Sequence, residues 1–464
     1  MLIEIGEGQY PSESLEKCLL LNAVKNALKK LSAMIIVIPT GTGLRITDIS
    51  GKNPKLSDFV KNTGKPPILI VDNTWNDIFE VQNFISQYLD KHQLKEEYAV
   101  FFIGRVRPLA IFVERCLMLK SEDINETCKN FIEEMTTTTS KEVGTVYSLF
   151  SKKRLKQTST RLIPLLKKCV FFKMCFDRPF TILASVDAAL FENAFGILSE
   201  ELDEKKEKDF FITVGELMVL KSAYNFFFNE NSNFLREFAE ERLSENFKPQ
   251  SRGFLWEEYF PHRFMELASE NILDKLTNLT TTDSSKLFSR YSSTVYQVDR
   301  YASHSTPLIA TSANCTLSAF LIFPERHAPF YLPDQNAGPD LVFYISYDTN
   351  KLIPVFVQLK LSNSVRGTEG LATVDPENFF RNKYNEIPEK YKEEYSSCLE
   401  TIRKHKIFIS LLICYPKIFK NLVSEVVEKK DWTCYKQVVD GKNQNGILAK
   451  KHEKLLKAIE DMPK

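Results

Sequence analysis

Two apolar runs separated by three turn-forming residues constrain this chain more than anything else in it. Leu341–Tyr347 and Ile353–Leu359 are rich in β-branched and aromatic residues and flank Asp348-Thr349-Asn350, which predicts a β-hairpin. Side chains alternate across a strand, so Gln358 and Lys360, two apart near the end of the second run, leave the sheet on one face. Asp340 stands at the mouth of the first run. An acid, an amide and a lysine gathered at one end of a sheet can hold a metal ion.

Length bounds what the hairpin can belong to. A chain of 464 residues, 43% hydrophobic, is long enough for two or three globular domains. Lys and Arg total 61 against 60 Asp and Glu, a net charge of +1, which excludes a polycation and leaves any nucleic-acid contact to a local patch. Nine cysteines are scattered without a CxxC pair and without clustered histidines, so no zinc site is read from spacing, and the odd number suits a reducing compartment. Neither a cationic-then-apolar amino terminus nor a run of about 18 apolar residues occurs, so the expectation is a soluble intracellular chain with no membrane span.

Residues 1–120 alternate apolar runs with amphipathic stretches. Met34–Thr40, Pro66–Asp72 and Glu97–Gly104 read as strands and Ile78–Leu89 as a helix, which implies an α/β layer with a parallel sheet. A nucleotide site is the obvious function for such a layer. However, Thr40-Gly41-Thr42-Gly43-Leu44-Arg45 has no lysine after its second glycine, and Gly64-Lys65 precedes a strand instead of following one. Asp72 could imitate a magnesium-holding acid, but acids commonly end strands, and a structural layer is the favoured reading.

Residues 121–238 read as helical, with helices at Ile124–Met135, Thr145–Phe150, Leu162–Phe176, Val186–Leu202 and Val214–Phe228. Thr136–Ser140 reads as a polar loop and the charged Leu202–Lys208 as a solvated turn. Ser151–Lys156, SKKRLK, is the densest basic cluster; it is read either as an exposed helix start or as a nuclear import signal or phosphate-contacting patch.

Residues 239–464 hold the candidate site. A helix over Arg252–Ser269 places Glu257 on a mostly aromatic surface, and His262 on the same helix reads as a core residue. A polar, serine-rich stretch follows from Thr280 to Thr306. Then come an expected strand at Leu317–Phe323, the hairpin, a helix at Pro376–Tyr391, a strand at Lys406–Tyr415 and closing helices, with the acids at one end of the sheet.

On these residues the chain resembles the PD-(D/E)XK nuclease superfamily, the restriction-endonuclease-like fold. Pro339-Asp340 matches its first strand element, Gln358-Leu359-Lys360 its second, and RGFLWEEYF its helix, with Glu257 at the usual position. A wider resemblance covers most of the chain. Crinkler-type effectors of filamentous eukaryotic microbes, and the related retrotransposon hot spot proteins, join a P-loop NTPase to this nuclease type. GTGLRI from Gly41, GRVRP from Gly104, AGPDLVF, VFVQLKL and TVDPENFF from Thr373 look like segments of that family. The Walker A and acidic Walker B motifs that should precede GTGLRI are absent. The resemblance therefore implies a multidomain α/β chain: a degenerate P-loop-NTPase-like layer at 1–120, a helical linking region at 121–238 and a PD-(D/E)XK nuclease domain at 239–464. It also implies secretion by an unseen route and action on DNA in a host-cell nucleus.

The chemistry accounts for those residue types. Phosphodiester hydrolysis needs Mg²⁺, or Mn²⁺, bound by hard oxygens, which Glu257, Asp340 and the Gln358 side-chain carbonyl can supply. Lys360 would stand beside the attacking water, lowering its pKa or stabilising the developing charge. The glutamine replaces the usual carboxylate, which removes one negative ligand. Arg366, Arg381 and Lys383 are candidates for contacting phosphates of double-stranded DNA, or are ordinary surface cations. Two functions remain open: a metal-dependent DNA endonuclease, and a nonenzymatic effector that binds DNA or a host nuclear protein on a degenerate nuclease fold.

Overall fold

The computed structural model describes residues 77–441 apart from 90–92, 105, 120–122, 138–151, 184–189, 191–194, 203–207, 245–248, 270, 278–291, 303–305, 349–350, 363–365 and 421–423, together with Ile447 and Lys457. The strands expected at Met34–Thr40 and Pro66–Asp72, the segment from Gly41 and the helix at Thr145–Phe150 lie outside the described residues. So does most of the stretch Thr280–Thr306.

In chain order the helices and strands are α1 (Ile78–Tyr88), α2 (Val106–Leu119), α3 (Ile124–Thr136), α4 (Lys152–Phe176), β1 (Phe180–Leu183), β2 (Ile197–Leu202) and β3 (Lys208–Val214). They continue with α5 (Leu217–Glu230), α6 (Phe234–Ser244), α7 (Pro249–Ala268), α8 (Ile272–Thr277), β4 (Ser293–Val295), α9 (Val298–Ala302), β5 (Ile309–Thr311) and α10 (Leu317–Ile322). The last are β6 (Phe330–Leu332), β7 (Leu341–Tyr347), β8 (Lys351–Ser362), α11 (Gly367–Thr373), α12 (Lys392–His405), β9 (Ile407–Pro416), β10 (Glu425–Glu428) and β11 (Thr433–Val439). The chain is thus mixed α/β, and no helix among the described residues is long and apolar enough to cross a membrane.

Several segments differ from the reading of the sequence. Glu97–Gly104 is not a strand but a helical turn, Glu96–Ala99, running into a 3-10 turn, Val100–Phe102; its buried residues, Ala99 and Phe102, are spaced by three instead of alternating. Val186–Leu202 ends in β2, which pairs antiparallel with β3 from Ile197↔Thr213 to Leu202↔Lys208. Leu317–Phe323 is the helix α10, because Thr316 caps it, its hydroxyl accepting from the Ala319 amide at 3.2 Å, and Leu317, Phe320 and Leu321 bury one helical face. Pro376–Tyr391 is not a helix. Two 3-10 turns bracket a loop in which the Asn382 side chain accepts from the amides of Tyr384 and Glu386, and the regular helix starts only at Lys392. After β9, where closing helices are expected, the described residues form the strands β10 and β11, and the chain beyond Gly441 lies outside the described residues except Ile447 and Lys457.

Contacts divide the described chain into two units. One takes the residues up to Cys128 with Thr181–Glu216, the other Lys129–Phe180 with Leu217 onward, so the middle segment 121–238 is shared between them. A three-stranded sheet of order β1-β3-β2 joins the strands near the boundary. The second unit carries the larger sheet, of order β10-β11-β9-β8-β7-β6-β5, with β4 paired to β7. It is mixed: β7 runs antiparallel to β8, and β9 parallel to both β8 and β11.

This sheet is covered on both faces, which explains why its central strands read as nearly continuous apolar runs. On one face Val342, Tyr344, Phe356 and Phe408 join a core with Phe320 and Leu321 of α10 and Cys398, Leu399 and Ile402 of α12. On the other, Phe264 of α7 lies 4.8 Å from the Phe343 ring and 6.3 Å from that of Phe330, centroid to centroid. Burying a side chain of this size stabilises by about 1.5–3 kcal/mol. These contacts hold α7 against the hairpin.

Candidate active site

The site begins with a mismatch in strand length. β7 starts at Leu341, opposite Val357, so β8 runs on from Gln358 to Ser362 with only β9 beside it, from Gln358↔Leu412 to Ser362↔Pro416. A strand edge left this way exposes backbone groups that need partners. Asp340, the residue just before β7, takes that role: its own amide donates to Val357 O at 2.9 Å, and its Oδ2 accepts from the Leu359 amide at 2.7 Å.

The same carboxylate collects the side chains on either side of Leu359. Lys360 Nζ lies 3.7 Å from Asp340 Oδ2, and Gln358 Nε2 donates to that oxygen. Gln358 is 1% exposed and is held at its other end by Thr373, the last residue of α11, whose hydroxyl reaches both Gln358 Oε1 and, at 2.8 Å, Gly370 O. The turn ahead of Asp340 is fixed by a close approach. Gly338 adopts φ +110°, and a Cβ there would lie 2.6 Å from the Thr373 carbonyl oxygen, so only glycine fits.

The second carboxylate comes from α7. Neighbouring helical residues diverge by about 100°, and Glu257 and Glu258 use that divergence. Glu258 turns to Arg242 of α6 at 2.7 Å, and α6 is tied again to α7 by Arg236 and Glu266. Glu257 turns the other way, into the field of Asp340 and Lys360. Pro261 lies inside α7, so the amide that would have bonded to the Glu257 carbonyl is missing.

The electrostatics of the three groups are lopsided. Burial, the largest cause, and the Asp340 carboxylate together push the Glu257 carboxyl up to about 8, against the opposing Lys360 ammonium. Burial also raises Asp340, against Lys360, the Leu359 amide and Gln358. Two carboxylates share one ammonium, so at neutral pH Glu257 keeps a proton.

That retained proton is the observation against which a bound cation can be tested. No group of three or more His, Cys, Asp or Glu side chains among the described residues is arranged to hold a metal. The donor set here is instead two carboxylates, hard oxygens of the kind Mg²⁺ and Mn²⁺ prefer, and the Gln358 amide, whose oxygen would join them once turned from Thr373. A divalent cation would supply the charge that the proton now supplies. In that respect the residues fit the group.

The other expected site residues are placed elsewhere. Arg381 is consumed within its own loop, donating to Glu377 O at 2.9 Å and Asn385 O at 2.7 Å. Arg366 is exposed and pairs with Glu369 at 3.1 Å, and Lys383 lies over the Tyr384 ring at 5.0 Å. His262 is buried, stacked on Phe171 and 3.6 Å from Cys175 Sγ, and its imidazole is pushed down to about 3 by burial and the Arg236 charge. Lys152–Lys156 of the basic cluster open helix α4. Thr373 is the residue that sequence reasoning missed, since nothing local signals that its hydroxyl meets a strand fifteen residues earlier.

Comparison of the chain with protein-family models, with curated proteins and with solved structures gave no match.

Proposed function

We propose that this chain is a metal-dependent phosphodiesterase acting on DNA as an endonuclease. One observation carries the reading: Asp340 and Lys360 pair at 3.7 Å at the open end of β8, and both charges act on the buried Glu257 carboxyl of α7, which burial first and Asp340 second push up to about 8. The order of elements supports it. The expected order is a helix with an acid, three strands, a helix and a strand; α7, the hairpin β7–β8, the helices α11 and α12 and the strand β9 follow in that order, while the strand expected at Leu317–Phe323 is the helix α10.

Each side chain has a task in that chemistry. Asp340 and Glu257 are the anionic oxygens, and Gln358 the neutral one, that would hold Mg²⁺ or Mn²⁺. When bound, the cation supplies Lewis acidity and charge at the scissile phosphate. Lys360, about 38% exposed beside Asp340, would offer an ammonium donor to an attacking water or to phosphoryl oxygens that gain charge. Glu257 would have to give up its proton to hold a cation, which would make binding pH-dependent.

Supercoiled plasmid incubated with the full chain and Mg²⁺ or Mn²⁺ tests the reading. Nicking or linearisation that is lost in D340A and K360A is expected; equal cleavage by both variants would overturn it. A second reading, a nonenzymatic module that binds DNA or a protein, is favoured by the Gln358 amide, which presents its nitrogen to Asp340. It predicts DNA binding that survives D340A. Through its resemblance to Crinkler-type effectors, the chain is proposed to act in a host nucleus; nuclear accumulation of the tagged chain in host cells is the corresponding assay.

A further inference from the structure

The Thr373 hydroxyl has one proton and two acceptors. It lies 2.8 Å from Gly370 O, the back-bond that a threonine commonly makes within its own helix, and within hydrogen-bonding distance of Gln358 Oε1. It can donate to only one of them at a time. The Gln358 amide faces the same choice from the other side: its Nε2 is turned to Asp340 and its Oε1 to Thr373, and the residue itself is 1% exposed.

Two arrangements give both the threonine hydroxyl and the amide nitrogen an acceptor. In the first, Nε2 donates to Asp340 and Thr373 donates to Oε1, leaving Gly370 O without the threonine proton. In the second, the amide turns over about its last bond. Nε2 then donates to Thr373 Oγ1, Thr373 donates to Gly370 O, and Oε1 faces the Asp340 carboxylate. Two oxygens facing each other in a buried site repel, so the second arrangement needs a cation between them. No proton changes owner in the exchange; one hydroxyl and one amide rotate.

We propose that Thr373 is a positioning residue that sets which end of Gln358 faces Asp340, holding the amide nitrogen there when the site lacks a cation and accepting from it when a divalent cation binds. This rests on the metal-dependent reading of the site. It assigns Gln358 a ligand role that depends on a partner outside the motif, and it explains how an amide serves where a carboxylate would need no orientation.

The test is calorimetric titration of Mg²⁺ and Mn²⁺ into the full chain and four variants, T373V, T373S, Q358E and the T373V/Q358E double variant, with thermal melting as a check on folding. Valine keeps the shape of threonine and removes the hydroxyl. T373V is expected to weaken cation binding by about ten-fold or more, as loss of an outer-shell partner does, while T373S restores it. Residue 358 as glutamate offers oxygen at either end, so T373V is expected to cost little in that background. An equal loss in both backgrounds would reduce Thr373 to a structural role, and no loss in either would remove it from the site; both overturn the inference while leaving the metal site standing. Failure of the unsubstituted chain to bind either cation would overturn the metal-dependent reading itself.

Discussion

The β7–β8 hairpin carries an aspartate–lysine pair at each end. At the turn, Lys351 Nζ meets Asp348 Oδ2 at 2.7 Å, with side chains 61% and 30% exposed; at the open end, Lys360 Nζ stands 3.7 Å from Asp340 Oδ2, with 38% and 19%. The shorter pair is the less consequential one. Asp348 and Lys351 sit in solvent, where an ion pair contributes about 0–1 kcal/mol and salt screens it. Asp340 also carries the Leu359 amide and the Gln358 side chain, and it shares its lysine with a second carboxyl whose proton is retained. What separates a site from a surface pair here is the excess of acceptors over donors, not contact distance.

The comparison breaks first on rate. K360A is expected to lower plasmid cleavage by about 10²–10³-fold, the usual loss when a donor to developing charge is removed, whereas K351A leaves it unchanged; initial rates of nicking at saturating Mn²⁺ decide. Next comes the backbone that presents Asp340. G338A puts a Cβ against the Thr373 carbonyl at a positive φ, and a loss of about 1–3 kcal/mol is expected in urea unfolding.

Smaller still is a slope instead of a step. Glu257 binds a proton more tightly folded than unfolded, so between the ordinary carboxylate range near 4.5 and about 8 the native state holds more protons than the unfolded one. Stability without divalent cations therefore falls as pH rises through that window. In E257Q the fall is reduced, and unfolding midpoints at pH 5 and pH 8 report it. Mg²⁺ affinity of the unsubstituted chain rises over the same window. Last, D348A is expected to change stability by less than about 1 kcal/mol, and by less again at high salt.

Much of the hairpin was legible because strand geometry is short-ranged. Residues two apart share a face whatever surrounds them, so Gln358 and Lys360 follow from the sequence, as do the α7 helix and the position of Glu257 on it. Short apolar runs were not legible in the same way. Leu317–Ile322 is as apolar as a strand, and only the Thr316 cap and a buried i, i+3, i+4 set distinguish it. The strands β10 and β11 escaped because β11 pairs in parallel with β9, a partner more than ten residues away that no local pattern names. Thr373 is the extreme case, since its importance lies wholly in the side chain it meets. Arg381 is the opposite case: its charge is visible in the sequence, and the two carbonyls to which it donates are not.

Gly338 and Thr373 touch with no room for a methyl group between them, and this has a mechanical meaning. The turn that carries Asp340 and the end of α11 are a single rigid linkage. α11 follows the exposed Arg366 and ends against Gln358 and the glycine. A side chain at position 338 would therefore disturb the turn before Asp340 and the end of α11 together.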